Sequence, residues 1–125
     1  MNSRVTEDFV NCFGKLPQAV KDQGMNYDSI LISIVVPCYN EEDNLGPLHE
    51  AIHYVAGLMR VSYEILLVDD GSRDKTWEVI RQLEKKDGRV RPVKLKFNCG
   101  ETAASEAGMR LARGKYVVTM DADLQ

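Results

Sequence analysis

The residues with the clearest chemical potential stand at the end of the sequence, in KYVVTMDADLQ. Tyr116, Val117, Val118, Thr119 and Met120 read as a buried strand, and Asp121, Asp123 and Gln125 follow at every second position. Residues two apart on an extended chain point to the same side, about 6–7 Å apart at ~3.3 Å per residue. One carboxylate can then ligate a hard cation while the other holds a neighbouring hydroxyl or a metal-bound water, and Gln125 can add an amide oxygen. Ligation by oxygen alone suits Mg²⁺ or Mn²⁺, which complete their shells with water and phosphate oxygens. An isolated D-x-D is also common as a plain polar strand end, so its value depends on what surrounds it.

The elements that must position these acids are regular from Ile30 onward. Strand-like runs occur at ILISIVV, YEILLVD, VRPVKLKF and KYVVTMD, separated by helical stretches at NLGPLHEAIHYVAGLM, KTWEVIRQLEKK and ETAASEAGMRLA. Strand and helix in alternation predict βαβ units on a parallel sheet, and the nearly continuous apolar character of the central runs predicts strands covered on both faces. The expected fold is α/β: a Rossmann-like open, mainly parallel sheet with helices on both faces. In the second helix, Trp77, Ile80 and Leu83 make one buried face and leave Arg81, Lys85 and Lys86 as a solvated one. Gly88 and Gly114, each just past a helix, are expected as left-handed caps.

Ligands of open parallel sheets bind outside the carboxyl ends of the strands, where the strand order reverses. With the order 3-2-1-4, the ends of the first, second and fourth strands meet there, and the segments leaving them are PCYNEEDN, DDGSRDKT and DADLQ. Glu41, Glu42, Asp43, Asp69, Asp70, Asp74, Asp121 and Asp123 would all crowd one rim, an arrangement that repels itself unless a cation or hydrogen-bond donors meet it. Neither G-x-G-x-x-G nor a Walker lysine is present, which disfavours dinucleotide and P-loop binding. Tyr39, after Pro37, can lay its ring against a base; Asp69 or Asp70 can accept from a base imide, and Glu41 from a ribose hydroxyl. Pro37 and Gly71 also have plain structural roles, ending a strand and opening a turn, while Ser72 and Asp74 can cap the second helix.

Composition narrows the class. The 125 residues are 44% hydrophobic and 28% charged, with a net charge of −3. That balance suits a globular domain and argues against a nucleic-acid binder built on a broad basic face. The longest apolar run, Ile30 to Val36, is far shorter than the ~20 residues that cross a bilayer. No signal-peptide pattern is present. Cys12, Cys38 and Cys99 are widely spaced, and without a C-x-x-C they read as reduced thiols of a cytoplasmic protein. Residues 1–28 read as a leader or covering helix interrupted by Gly14 and Pro17, and residues 29–125 as the ligand-binding unit.

Taken together, ISIVVPCYNEEDNL, EILLVDDGSRDKT and NCGETAASEAGMRLARGKYVVTMDADLQ resemble the family 2 glycosyltransferases of the GT-A fold. DADLQ is most similar to the polyprenyl-phosphate sugar synthases, the dolichyl- and undecaprenyl-phosphate mannose and glucose synthases among them. The resemblance spans Ser33 to Gln125. It implies that Pro37, Tyr39, Glu41 and Asp70 (or Asp69) surround the nucleoside of a UDP- or GDP-hexose. It also places Asp121 near ribose and diphosphate, and Asp123 and Gln125 on Mg²⁺ or Mn²⁺. The implied reaction is inverting transfer of the hexose to a polyprenyl phosphate, at the cytoplasmic face of a membrane in a complete protein. Two positions depart from the family pattern: Glu101 stands where a lysine or amide is expected, and Phe97 where arginine is frequent. The resemblance further implies that the chain is a truncated, N-terminal nucleotide-binding half of a GT-A fold, without its acceptor half and inactive alone. An unpaired fourth strand would then invite self-association. Two alternatives stand beside this reading: a non-catalytic nucleotide- or metal-binding module, and a receiver-like Mg²⁺-binding signalling domain.

Overall fold

In a computed structural model of the chain, the residues described are 30–123. Four strands and three helices alternate: β1 (Ile32–Cys38), α1 (Leu45–Met59), β2 (Tyr63–Asp69), α2 (Thr76–Lys86), β3 (Val90–Lys94), α3 (Glu101–Leu111) and β4 (Tyr116–Thr119). The strands form one sheet in the order β3-β2-β1-β4, and every pairing is parallel. This is the expected order, with β1 and β4 adjacent at the reversal. The expected leader at residues 1–28 and the metal-ligand position Gln125 lie outside the described residues.

Alternation along β1 builds two cores. Ile34, Val36 and Cys38 face α1 and α2, where they join Leu45, Leu48, Ile52, Ile80 and Leu83. Val35 faces α3 together with Leu66, Val68, Ala104, Ala107 and Leu111. The whole of β2 is buried, as a strand covered on both faces should be. Helix α3 comes close to the sheet because it carries small residues: a Cβ at Gly108 would lie 2.4 Å from Val35 Cγ1. Trp77, Ile80 and Leu83 of α2 pack inward, and Arg81, Lys85 and Lys86 are exposed, as the periodicity predicts.

Three expectations do not hold. The fourth strand is not buried: all four residues of β4 are exposed, with Tyr116 at 56% and Val117 and Val118 at 43%. Among the described residues β4 pairs only with β1, so its apolar composition has no second neighbour to cover it. Gly88 and Gly114 are not left-handed caps; α2 and α3 end on the extended residues Asp87 and Ala112. The left-handed cap belongs to α1 and is Arg60, at φ 55°. Gly114 answers to space instead, since a Cβ there would meet the backbone nitrogen of Ser33 at 2.7 Å. The third departure concerns the thiols. Cys38 is a buried free thiol, but Cys99 is disulfide-bonded.

Candidate active site

Three loops leave the carboxyl ends of β1, β2 and β3 and are stitched together by their own polar groups. After β1, Asn40 adopts φ 54°. Its N–H donates to Ser72 Oγ at 3.0 Å, and its Oδ1 accepts the Arg73 N–H at 2.9 Å. The Glu41 N–H donates to Thr76 Oγ1 at 2.8 Å, and Asn44 Nδ2 donates to Glu41 Oε2 at 2.6 Å. The N-cap position of α2 falls on Lys75 rather than on Ser72 or Asp74; Asp74, just ahead of it, accepts the Thr76 N–H on Oδ1 at 2.9 Å, while Ser72 serves the β1 loop. Burial pushes the Asp74 carboxyl upward, but hydrogen bonds from Thr76 and the Glu42 amide outweigh it and hold the group below its ordinary range.

The two aspartates after β2 part ways. Asp69 is 1% exposed, and its Oδ1 closes the turn by accepting the Ser72 N–H at 3.1 Å. Asp70 accepts the N–H of Cys99 at 2.7 Å on one oxygen and that of Gly100 at 3.0 Å on the other. Its own backbone joins two more segments, the N–H donating to Cys38 O at 2.8 Å and the carbonyl accepting Asn98 Nδ2 at 3.1 Å. Burial raises the Asp70 carboxyl above its ordinary value; the two amides only partly offset this, and the neighbouring Asp69 charge adds to it. Gly71 makes the junction possible. It sits at φ 69°, and a Cβ there would lie 2.5 Å from the Asn98 backbone nitrogen.

At the fourth strand end, the Met120 N–H continues the ladder to Val35 O at 3.1 Å. Ala122 is 4% exposed and joins the core beneath α1 and α2, whereas Asp121 and Asp123 on either side of it are exposed. The two-residue alternation foreseen from DADLQ is therefore present, with a buried alanine as its pivot.

Between these loops lies a cavity of about 430 Å³. Pro37, Cys38, Tyr39 and Glu41 line it from β1, Asp70 from β2, Asn98, Gly100 and Glu101 from the start of α3, and Asp121, Ala122 and Asp123 from the end of β4. Of the sequence candidates, Pro37, Tyr39, Glu41, Asp70, Asp121 and Asp123 share this wall, and Asp69 does not. The expected crowd of eight acids is thinner than foreseen, because Asp69 and Asp74 are spent on turns and Glu42 and Asp43 lie off the wall. Asn98, Gly100 and Glu101 are the members that the three-strand argument passed over, since it left out the end of β3. Their signal was present as Gly100 immediately before a helix; it adopts φ 99°. Cys38 forms part of the floor, and burial, then the charges of Asp69 and Glu41, push its thiol far above the ordinary range, so it is inert.

The donor set suits a hard divalent cation, because Asp121 and Asp123 offer only oxygen. Among the described residues, no group of three or more His, Cys, Asp or Glu side chains is arranged to hold a metal.

Residues 33–125 match the family model described as glycosyl transferase family 2. The chain belongs to that family. A dodecaprenyl-phosphate galacturonate synthase of Rhizobium johnstonii is 43% identical over 98 residues, covering 78% of this chain and 29% of the relative. An undecaprenyl-phosphate 4-deoxy-4-formamido-L-arabinose transferase of Edwardsiella ictaluri is 42% identical over 95 residues, covering 75% and 29%. Among solved structures, a mannosyltransferase of Pyrobaculum calidifontis in complex with GDP-Man and Mn²⁺ superposes with a TM-score of 0.64 at 22% identity. That superposition covers 97% of this chain and 33% of the mannosyltransferase. The open parallel sheet with its helices is thus the Rossmann-like part of a GT-A fold. Membership of family 2 removes the receiver-like alternative. The chain spans about 29% of the length of these two curated relatives.

Proposed function

We propose that this chain is the donor-binding part of a glycosyltransferase that transfers a hexose, with inversion, from a nucleoside diphosphate to a polyprenyl phosphate. The observation that carries the reading is the cavity at the strand ends, with Asp121 and Asp123 presented together by the buried Ala122. Tyr39 and Pro37 form an apolar side for the base, Asp70 offers its remaining lone pairs to a base N–H, and Glu41 takes a ribose hydroxyl. Asp121 stands beside ribose and diphosphate, and Asp123, with Gln125, would hold Mg²⁺ or Mn²⁺. When bound, such a cation neutralises the charge that gathers on the departing nucleoside diphosphate.

A polyprenyl phosphate fits as acceptor on chemical grounds. A phosphate monoester, with a second pKa of about 6, is largely ionised at neutral pH and needs little help from a general base. The names of the two relatives support the acceptor class, and the GDP-Man and Mn²⁺ complex supports a sugar nucleotide and a divalent cation. Among the described residues no helix is long and apolar enough to cross a membrane. Work on a polyprenyl phosphate would nonetheless take place at a membrane, and we place it at the cytoplasmic face. Transfer is assigned to the full relative-length protein, and the 125-residue chain alone is expected to turn over negligibly. The open edge of β4, with Tyr116, Val117 and Val118 exposed, is offered to a second strand, and in the isolated chain to another copy. A monodisperse monomer by light scattering would remove that part of the reading.

The test is calorimetric titration of the chain with UDP and with GDP, each with Mn²⁺ and with EDTA. Metal-dependent binding of one nucleotide is expected and chooses the donor class. No heat with either nucleotide in Mn²⁺ would overturn the assignment.

A further inference from the structure

Tyr39 and Glu41 stand on the cavity wall, and Asn40 between them does not. At Asn40 the backbone enters the left-handed region, φ 54°, which glycine and, less often, asparagine or aspartate adopt without strain. Both hydrogen bonds described for Asn40 run to the turn after β2. Its N–H donates to Ser72 Oγ at 3.0 Å, and its Oδ1 accepts the Arg73 N–H at 2.9 Å. The next two residues follow the same course. The Glu41 N–H donates to Oγ1 of the buried Thr76 at 2.8 Å, and the Glu42 N–H reaches Asp74 Oδ2 at 3.4 Å. The loop after β1 thus hangs from the β2 turn by four bonds, and Asn40 makes two of them. Tyr39 is 42% exposed, so packing does little to hold its ring, and the backbone that carries it is fixed one residue further on.

Resting on the donor-binding reading above, we infer that Asn40 is a positioning residue for the nucleoside. It touches no ligand itself. It holds Tyr39 and Glu41 in one arrangement, already shaped for a base and a ribose hydroxyl, and sets that arrangement against Asp70 at the neighbouring strand end. A side chain without the acceptor, on a residue that resists positive φ, leaves the loop free to take other arrangements. Binding must then select the competent one, and the apparent affinity falls with the fraction of chains that hold it. The part of the ligand affected is the nucleoside. The diphosphate, which the reading assigns to the end of β4, is met from a different strand and a different set of bonds.

The experiment is calorimetric titration, in Mn²⁺, of the 125-residue chain and of Asn40→Asp, Asn40→Gly and Asn40→Ala variants with UDP, GDP, UMP and GMP. Ile65→Val, a change in the buried core that touches neither loop, shows what lost stability alone does. Circular dichroism accompanies each variant to show that the fold is kept. Asn40→Ala, which loses the acceptor and resists positive φ, is expected to bind about 10-fold more weakly than the unsubstituted chain. Asn40→Gly keeps the conformation and loses only the acceptor, for a loss of about threefold. Asn40→Asp keeps both and is expected to stay within about twofold, since a carboxylate oxygen accepts as the amide oxygen does. The loss in Asn40→Ala is expected to be the same for mono- and diphosphates, and Ile65→Val is expected to bind as the unsubstituted chain does. Without ligand, the Glu41 amide should exchange its hydrogen faster in Asn40→Ala, with the core amides of β2 unchanged. The inference is overturned if Asn40→Ala binds within about twofold of the unsubstituted chain, less than one hydrogen bond should give. It is also overturned if Asn40→Asp or Ile65→Val loses as much as Asn40→Ala, if the loss is confined to the diphosphates, or if exchange at Glu41 is unchanged. Each of these results leaves donor binding intact. Binding of neither nucleoside diphosphate by the unsubstituted chain would overturn the donor reading and, with it, the role of Asn40.

Discussion

At the N-terminal end of the sheet, Glu64 is buried at 2% exposure, and each of its oxygens is met. Ser33 Oγ donates at 2.6 Å and the Arg113 N–H at 2.7 Å, while Arg91 forms an ion pair at 2.8 Å. Arg91 in turn donates to Leu111 O, and the Gly114 N–H donates to Ser33 Oγ, so the network ties β1, β2 and β3 to the segment between α3 and β4. At the carboxyl end of the same sheet, five carboxylates share a cavity wall that, among the described residues, includes no lysine or arginine. A buried charge whose partners are all supplied by the chain belongs to the fold. Apart from Asp70, the cavity acids are more exposed and are not drawn into a network of this kind by the bonds described above, so the two ends of the same strands make different demands on the chain.

The sharpest way to break this contrast is to treat both ends alike. Glu64→Ala is expected to cost about 3–5 kcal/mol in urea unfolding, because it strands Arg91 and two further donors in the interior. Gly71→Ala tests the joint between the β2 turn and the loop after β3. Strain at positive φ together with the contact to Asn98 is expected to cost about 1–3 kcal/mol and to weaken nucleotide binding at the same time. At the other end, Asp121→Asn with Asp123→Asn is expected to leave unfolding within about 0.5 kcal/mol of the parent, as for exposed sites, while metal-dependent nucleotide binding is lost. A large stability loss there would erase the distinction between the two ends.

The smallest effects are those of pH, and their signs differ. In Asp87, burial works against the charge, but the Arg89 amide, the His49 side chain at 2.8 Å and the nearby charges of His49 and Arg89 together lower its pKa below 3.8. Its stabilisation is complete above the ordinary value and is lost as pH falls through the depressed one. The gap in thermal midpoint between the parent and Asp87→Asn should therefore close as the solution is acidified through that window. Asp70 runs the other way, since burial raises its pKa above 3.8. Its favourable contribution is present below the ordinary value and fades as pH rises through the raised one. The midpoint of Asp70→Asn relative to the parent should accordingly improve on going from acid to neutral solution.

What the sequence revealed and what it hid divide on the same line. The strands, the helices and their order follow from local apolar patterns, and the Asp121, Ala122, Asp123 alternation was visible from spacing alone. Glu64 was not visible as a structural anchor, because Ser33, Arg91 and Arg113 lie 31, 27 and 49 residues away along the chain. The exposure of β4 could not be read from its residues, since burial of an apolar strand depends on whether a neighbour lies beside it. Asp69 and Asp70 are adjacent and chemically identical, and only the position of the β3 loop sends one into a turn and the other to the cavity wall. Arg60 gives no local sign of a left-handed cap, whereas Gly88 and Gly114 look like caps without being so.

Ala122 ties the two acids of the fourth strand end to the interior. Its methyl group rests in the same packed cluster as Leu45, Leu48 and Ile52. The backbone between Asp121 and Asp123 is therefore anchored to the core through a single methyl group. Directed variation of this binding site would find few solutions at the acids themselves. The useful freedom lies underneath, in residues of α1 that set how deep that foothold sits, so libraries meant to retune the ligand choice of this cavity should begin in the core.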